Sequence, residues 1–134
     1  MPSAQRRGLE QLAKAVAAAH PLEGAVHLVL AGDAYLRRLN AAYRGADRAT
    51  DVLSFDLGSG PSIPGAPRGE IYISLERARD QAAEQQVPLF AELARLFVHG
   101  LLHLAGYDHD TPAGLQFMEQ ETDRLLAEWS PLSL

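Results

Sequence analysis

Three of the five histidines in this chain of 134 residues fall within eleven positions, in the run His99-Gly100-Leu101-Leu102-His103-Leu104-Ala105-Gly106-Tyr107-Asp108-His109. On a helix of about 3.6 residues per turn, His99 and His103 stand one turn apart on the same face, so their rings converge. Gly106 can take the left-handed conformation that ends a helix, which lets the chain double back and bring His109 toward the same point. Three neutral imidazoles suit a tetrahedral, zinc-type ion with one position left open to water, the ligand count of a catalytic rather than a closed structural site. The chain has no cysteine to close it.

The spacing agrees with the metzincin peptidase pattern H-E-x-x-H-x-x-G-x-x-H at every ligand and at the glycine, but Gly100 stands where those enzymes carry their general-base glutamate. The sequence therefore predicts a hydrolytic metal centre whose substrate does not need a carboxylate at that place, and the identity of any general base is left open. Asp108 has two readings of equal weight. It is either an acceptor for a ligand's second ring N–H, which would fix the tautomer, or a turn residue. Arg37, Arg38, Arg44 and Arg48 cluster within twelve positions. Such a cluster is ordinarily a solvated helix face, yet the planar guanidinium fork suits phosphate oxygens.

Several elements must position these groups. Leu9, Leu12, Val16 and Ala19 recur at helical spacing, predicting an amphipathic helix over 4–19 that ends at His20-Pro21, with His20 exposed at the terminus. Ala25 to Leu30 is almost wholly apolar and reads as a strand buried on both faces, with His27 a core or edge residue and not a ligand. Asp33 is the expected N-cap of a helix whose Leu36, Leu39 and Tyr43 share a face and whose stop is Gly45. A strand follows over Thr50 to Asp56, and another over Glu70 to Ser74, after which Ser74 caps a helix reaching about Gln86. Between those strands, Gly58 to Gly69 holds four glycines and three prolines, and is expected to be a loop over the site.

Pro88 opens the helix that carries the histidines, with Leu93, Leu96, Phe97, Gly100, Leu101 and Leu104 as its core stripe. Gly100 lies inside that stripe, so a close packing contact is expected there. Thr111-Pro112 starts a last helix with Leu115, Met118, Thr122, Leu125 and Trp129 on one side, Met118 being plain core. The fold class is therefore α+β, an α/β sandwich with a small mixed sheet of three or four strands, about five helices and a metzincin-like metal-binding helix.

Length suits one domain over 1–134. Hydrophobic residues at 47% and charged residues at 22% are ordinary globular values and count against disorder. No internal repeat, Walker motif or G-x-G-x-x-G motif occurs, so nucleotide-driven chemistry is not indicated. Leu9 to Ala19 is interrupted by Glu10, Gln11 and Lys14, so neither a signal peptide nor a membrane span is expected, and with no cysteine the expected compartment is the cytoplasm. A net charge of −5 counts against a nucleic-acid partner, although eleven of the twelve basic residues are arginine.

Three blocks of the sequence resemble the bacterial YbeY endoribonucleases, a family of ribosomal-RNA maturation factors. They are Leu39-Asn40-Ala41-Ala42-Tyr43-Arg44-Gly45 running on to Thr50-Asp51-Val52-Leu53-Ser54-Phe55, then Gly69-Glu70-Ile71-Tyr72-Ile73-Ser74, and the histidine segment His99 to His109. The resemblance implies a single-strand-specific, metal-dependent endoribonuclease that matures the 3′ end of 16S rRNA and takes part in ribosome quality control. It implies one Zn2+ per chain held by His99, His103 and His109, with Arg44 and His99 as the catalytic residues. The implied partners are single-stranded RNA, the small ribosomal subunit and its assembly factors, with neither membrane nor DNA. The family often has proline where this chain has Ala49 and Asp56, which bears on local turn shape. Two other classes share the motif's physics: a non-catalytic ribosome-assembly factor with a structural metal, and a metallopeptidase. Gly100 speaks against the latter.

Overall fold

The computed structural model describes residues 1–20, 22–58 and 67–129. Five helices and three strands follow one another as α1 (Ser3–Ala19), β1 (Val26–Ala31), α2 (Asp33–Arg44), β2 (Val52–Asp56), β3 (Gly69–Ser74), α3 (Leu75–Gln85), α4 (Leu89–Leu104) and α5 (Pro112–Trp129). The strands form one mixed sheet in the order β1-β3-β2, with β1 parallel and β2 antiparallel to the central β3. The expected α+β sandwich with a small mixed sheet is thus present, with three strands among the described residues. Most of the loop expected over the site, residues 59–66, lies outside the described residues.

Strand β3 alternates, as its sequence suggests: Ile71 and Ile73 are fully buried against α4, while Glu70 and Tyr72 face the other way. In β2 the register sets Ser54 opposite Ile71 and Leu53 opposite Tyr72, so Val52 and Ser54 share the α4 side. Strand β1 departs from expectation. It is an edge strand, half-buried rather than enclosed on both faces, and His27 points to solvent. Among the described residues β1 pairs on one side only, with β3, which leaves its residues partly exposed.

Helix α4 is the core of the molecule. Beyond its expected stripe, Phe90, Glu92, Ala94, Val98 and Leu102 are buried too, so it is enclosed around most of its circumference. Each fully buried large apolar side chain contributes about 1.5–3 kcal/mol, so this one helix dominates the hydrophobic stabilisation. Helices α1, α3 and α5 pack around it, and α2 lies against the opposite face of the sheet with Leu36 buried. No single helix among the described residues is long and apolar enough to cross a membrane.

Ser74 caps α3 as expected, its hydroxyl accepting from the Arg77 backbone N–H. Gly45 ends α2 with φ +67°. Asp33, however, is the first helical residue and Gly32 the N-cap. The carboxylate of Asp33 is taken up instead by Arg77 and the Ser74 hydroxyl, which tie α2 to α3. Two apolar positions also differ from the expected faces. Tyr43 is 72% exposed and Leu115 is 40% exposed, because each stands at the helix end that leaves the core. His20 is the largest correction: it is buried, with Nδ1 3.0 Å from the Tyr107 hydroxyl and Nε2 against Glu121. A terminal histidine is drawn in because α5 and the turn after α4 offer it two partners.

Two outcomes are expected. Gly100→Ala adds a Cβ 2.8 Å from Ile71 Cγ2 and 3.0 Å from Ser54 Oγ. The gain in helix propensity, about 1 kcal/mol, is outweighed by an overpacking penalty of about 1–3 kcal/mol, so thermal unfolding should move down by several degrees. An unchanged or raised melting temperature would contradict the close packing. The second concerns acid. Hydrogen bonds from Arg124, helped by His20 and opposed by burial, hold the Glu121 carboxyl down at about 2 from its ordinary 4.5. A depressed carboxylate stabilises the fold above its unfolded value and loses that contribution as pH falls through 4.5 toward 2. Melting curves taken across this range should therefore fall more steeply for the native chain than for Glu121→Gln.

Candidate metal centre

The C-terminal end of α4 leaves the core along the free edge of β2, and here the histidines gather. His99 and His103 are half-buried on α4, one turn apart, and His109 is exposed. The helix stops by a double reverse turn: Gly106 at φ +106° donates to the His103 carbonyl and Tyr107 to the Leu102 carbonyl. This reversal swings His109 back. The ring centres lie 4.9 Å (His99 to His103), 5.4 Å (His99 to His109) and 4.9 Å (His103 to His109) apart. One nitrogen from each ring falls within 4.8 Å of the others, a set that could hold a metal ion.

Their electrostatics favour the same use. Burial, reinforced by the other two rings, pushes the His99 imidazole down to about 4. Burial likewise lowers His103, with His109 and Arg44 adding to the effect. Both rings are therefore neutral at pH 7, the form in which imidazole binds a metal. With His103 Nε2 only 3.1 Å from His109 Nδ1, a borderline cation such as zinc matches the all-nitrogen donor set. The donor chemistry and the convergence both fit the expected ion.

Arg44 reaches the same place from α2. It is the last helical residue before Gly45, its Nη2 donates to the Ser54 carbonyl, and its guanidinium carbon lies 5.5 Å from the centre of the Phe55 ring. Together Arg44, Arg48, Asp51 and the three histidines line a cavity of about 680 Å³. The four clustered arginines thus divide. Arg44 and Arg48 face the cavity, Arg37 forms a surface pair with Asp47, and Arg38 lies over Tyr35. The two readings of Asp108 also separate. Its carboxylate accepts from the Asp110 backbone N–H at 3.1 Å, as a turn residue does, and among the described residues it makes no hydrogen bond to a histidine ring.

Two cavity residues went unremarked in the sequence. Ser54 donates its hydroxyl to the Gly100 carbonyl at 3.2 Å while its own carbonyl receives Arg44, so it joins the metal helix to the arginine. A polar residue at a core-facing strand position was the signal. Asp51, at the head of β2, is held by Gln81 Nε2 at 3.2 Å and exerts an attraction on protonated His99. Only a partner 30 positions further along the chain reveals it, and no local pattern marks it.

The comparisons with known proteins agree with one another. The family model described as endoribonuclease YbeY matches residues 3–130. An endoribonuclease YbeY from Moorella thermoacetica is 46% identical over 129 residues, covering 89% of this chain and 83% of the relative. Its namesake from Desulforamulus reducens is 46% identical over 106 residues, covering 75% and 69%. Among solved structures, TM1509 from Thermotoga maritima is 27% identical with a TM-score of 0.54, covering 95% of this chain and 82% of that one. With near full-length agreement across the metal helix, the sheet and the arginine segment, the chain belongs to the YbeY endoribonuclease family.

Proposed function

We infer that this chain is a metal-dependent endoribonuclease acting in ribosomal-RNA processing, and the observation that carries the reading is three imidazoles converging beside Arg44 in one cavity. Family membership supports the same activity. In this reading His99, His103 and His109 hold one Zn2+, and Arg44 and His99 are the catalytic residues within a single domain over 1–134. A bound zinc ion supplies Lewis acidity toward a phosphodiester oxygen and toward water. The chain's own groups do the rest. Arg44 stands 2.5 Å from the Ser54 carbonyl, and among the described residues the rest of its donor fork makes no hydrogen bond, so it can neutralise charge that grows on the phosphate in the transition state. His99, the most buried ligand, keeps its ring neutral and fixed on the helix.

Gly100 decides against the peptidase reading. A peptide amine leaves poorly and needs a proton delivered by a carboxylate at that place, whereas the position holds no side chain and is filled by Ile71 and Ser54. An assembly factor with a structural metal fits less well, because a structural site is closed by four protein ligands and three are present among the described residues. The finer proposals follow the family: single-stranded RNA at the 3′ end of 16S rRNA as substrate, the small ribosomal subunit and its assembly factors as partners, and the cytoplasm as location.

Metal content tests the ligand set: elemental analysis should find about one ion per native chain and far less in His103→Ala. Equal metal in both would remove His103. For the activity, native protein, His99→Ala and Arg44→Ala are incubated with single-stranded RNA, duplex RNA and casein, with and without chelator. Single-stranded RNA alone should be cut, and cleavage should vanish in His99→Ala or on chelation. Arg44→Ala should keep its metal and melting temperature while cleavage falls by about two to three orders of magnitude. Casein hydrolysis lost in His99→Ala would establish a peptidase, and RNA bound but never cut would establish a binding factor.

A further inference from the structure

On the face of the sheet covered by α2, four aromatic rings form a continuous row that the metal chemistry does not use. Tyr35 lies 6.1 Å from Tyr72, Tyr72 lies 5.7 Å from Phe55, and Phe55 lies 5.7 Å from Tyr43, all measured between ring centres. Successive rings are steeply inclined to one another, at 47°, 79° and 73°. The row is open to solvent at both ends, where Tyr43 is 72% and Tyr35 is 41% exposed.

Exposed aromatic area of this kind is rarely idle on a soluble fold. Tyr43 stands out, because the periodicity of α2 places it on the buried face and yet the structure leaves it in water. Two guanidiniums flank the row: Arg38 lies 5.8 Å from the centre of Tyr35 and Arg44 lies 5.5 Å from that of Phe55. Neither arginine is in an ion pair among the described residues. The one carboxylate alongside Tyr72 on β3 is Glu70, which accepts the Tyr72 hydroxyl at 3.3 Å. Beside Phe55 the row meets the cavity, since Arg44 lies over the Phe55 ring and lines the cavity, and Phe55 follows Ser54 in β2.

We propose that Tyr35, Tyr72, Phe55 and Tyr43 are a stacking platform for the unpaired bases of single-stranded RNA, with Arg38 and Arg44 receiving its phosphates, leading the strand into the metal cavity. The proposal rests on the endoribonuclease reading and adds to it the groups that select the strand. Aromatic rings interleaved with arginine take successive bases without regard to sequence, because every base has a π-face. A duplex hides those faces in its own stack, so the platform discriminates against paired RNA. A partner protein would also find aromatic rings and arginines attractive, but the row's continuity with the cavity and its unpaired guanidiniums favour a polyanion with flat, exposed rings.

The test uses metal-loaded protein and a single-stranded oligoribonucleotide carrying 2-aminopurine, mixed by stopped flow and read before turnover. Native protein should quench the probe on binding. Tyr43→Ala and Tyr35→Ala should each weaken binding by about tenfold or more, and Tyr43→Trp should restore both affinity and quenching. Salt dependence should stay parallel to that of the native chain, because a ring and not a charge has been removed. Melting curves of the variants, both at exposed positions, separate loss of binding from loss of fold. Native affinity and quenching in a folded Tyr43→Ala and Tyr35→Ala, with RNA still cut, would overturn the platform alone and leave the row for a protein partner. Failure of the native protein to bind or cut single-stranded RNA would overturn the endoribonuclease reading with it.

Discussion

Helix α4 crosses β2 and β3 at Gly100, and the closeness of that crossing sets the rest of the structure. A Cβ at this position would stand 2.8 Å from Ile71, nearer than carbon atoms pack. With only hydrogen there, the helix settles onto the sheet until its own carbonyl comes within 3.2 Å of the Ser54 hydroxyl. His99 and His103 flank that contact along the helix, so the same approach that fills the core delivers two rings to the free edge of β2. Ser54 then offers its carbonyl to Arg44. The histidines and the arginine belong to elements far apart in sequence, and one short contact fixes their separation. Glycine gives up helix propensity here for a reason that concerns the site as much as the core.

An acidic chain that binds a polyanion needs its positive charge arranged rather than abundant. Net charge is −5, and much of the arginine is consumed in pairs: Arg77 with Asp33, Arg68 with Asp56, Arg95 with Glu92, Arg124 with Glu121. Arg38 and Arg44 are free of such pairs among the described residues and sit on the aromatic face, and Arg48 joins Arg44 at the cavity. The bulk field therefore repels RNA while a local strip attracts it. Such a field discourages non-specific adhesion and leaves recognition to short-range contacts.

The convergence of the three histidines was legible because helical spacing is itself geometry: four residues apart means one face, and a glycine at the stop means a reversal. The histidine run, the Ser74 cap and the Gly45 stop all depend on a handful of adjacent residues, and the structure contains each of them. His20 was misjudged for the opposite reason. Its burial depends on Glu121, which lies 101 positions away, and no local pattern can register such a partner. Tyr43 failed in a more informative way. Its spacing with Leu36 and Leu39 is that of a core stripe, but at the C-terminal end of α2 its ring meets only the edge of the sheet, resting at 5.7 Å on Phe55 with 72% of its surface exposed. Strand β1 was read as enclosed because its residues are apolar, whereas strand order decides enclosure, and order is not written in a single strand.

The polar interior beneath the cavity follows from a constraint that hydrophobicity alone would not impose. Glu92 is 1% exposed on α4, and an unpaired carboxylate at that depth would carry a penalty of several kcal/mol. Two N–H groups of Arg95 meet its two oxygens, at 2.9 Å and 2.5 Å, and hydrogen bonding to Glu92 raises the guanidinium further above its usual range. Arg95 lies one turn before His99, so a cation held in this way is anchored away from the three histidines, and its influence on His99 is the weakest of those named. The same Nη2 also donates to Gln81 Oε1 at 3.5 Å, and Gln81 in turn holds Asp51 at the cavity wall. The half-buried pair therefore extends into a chain of partners that ends at the site, linking α4, α3 and the head of β2. Replacing Glu92 and Arg95 together with apolar residues could match their contribution to stability, but it would free Gln81 from one side and leave Asp51 with a less fixed donor. The ion pair thus does something an apolar core of equal stability would not: through Gln81 it settles the position of the Asp51 carboxylate beside the histidines.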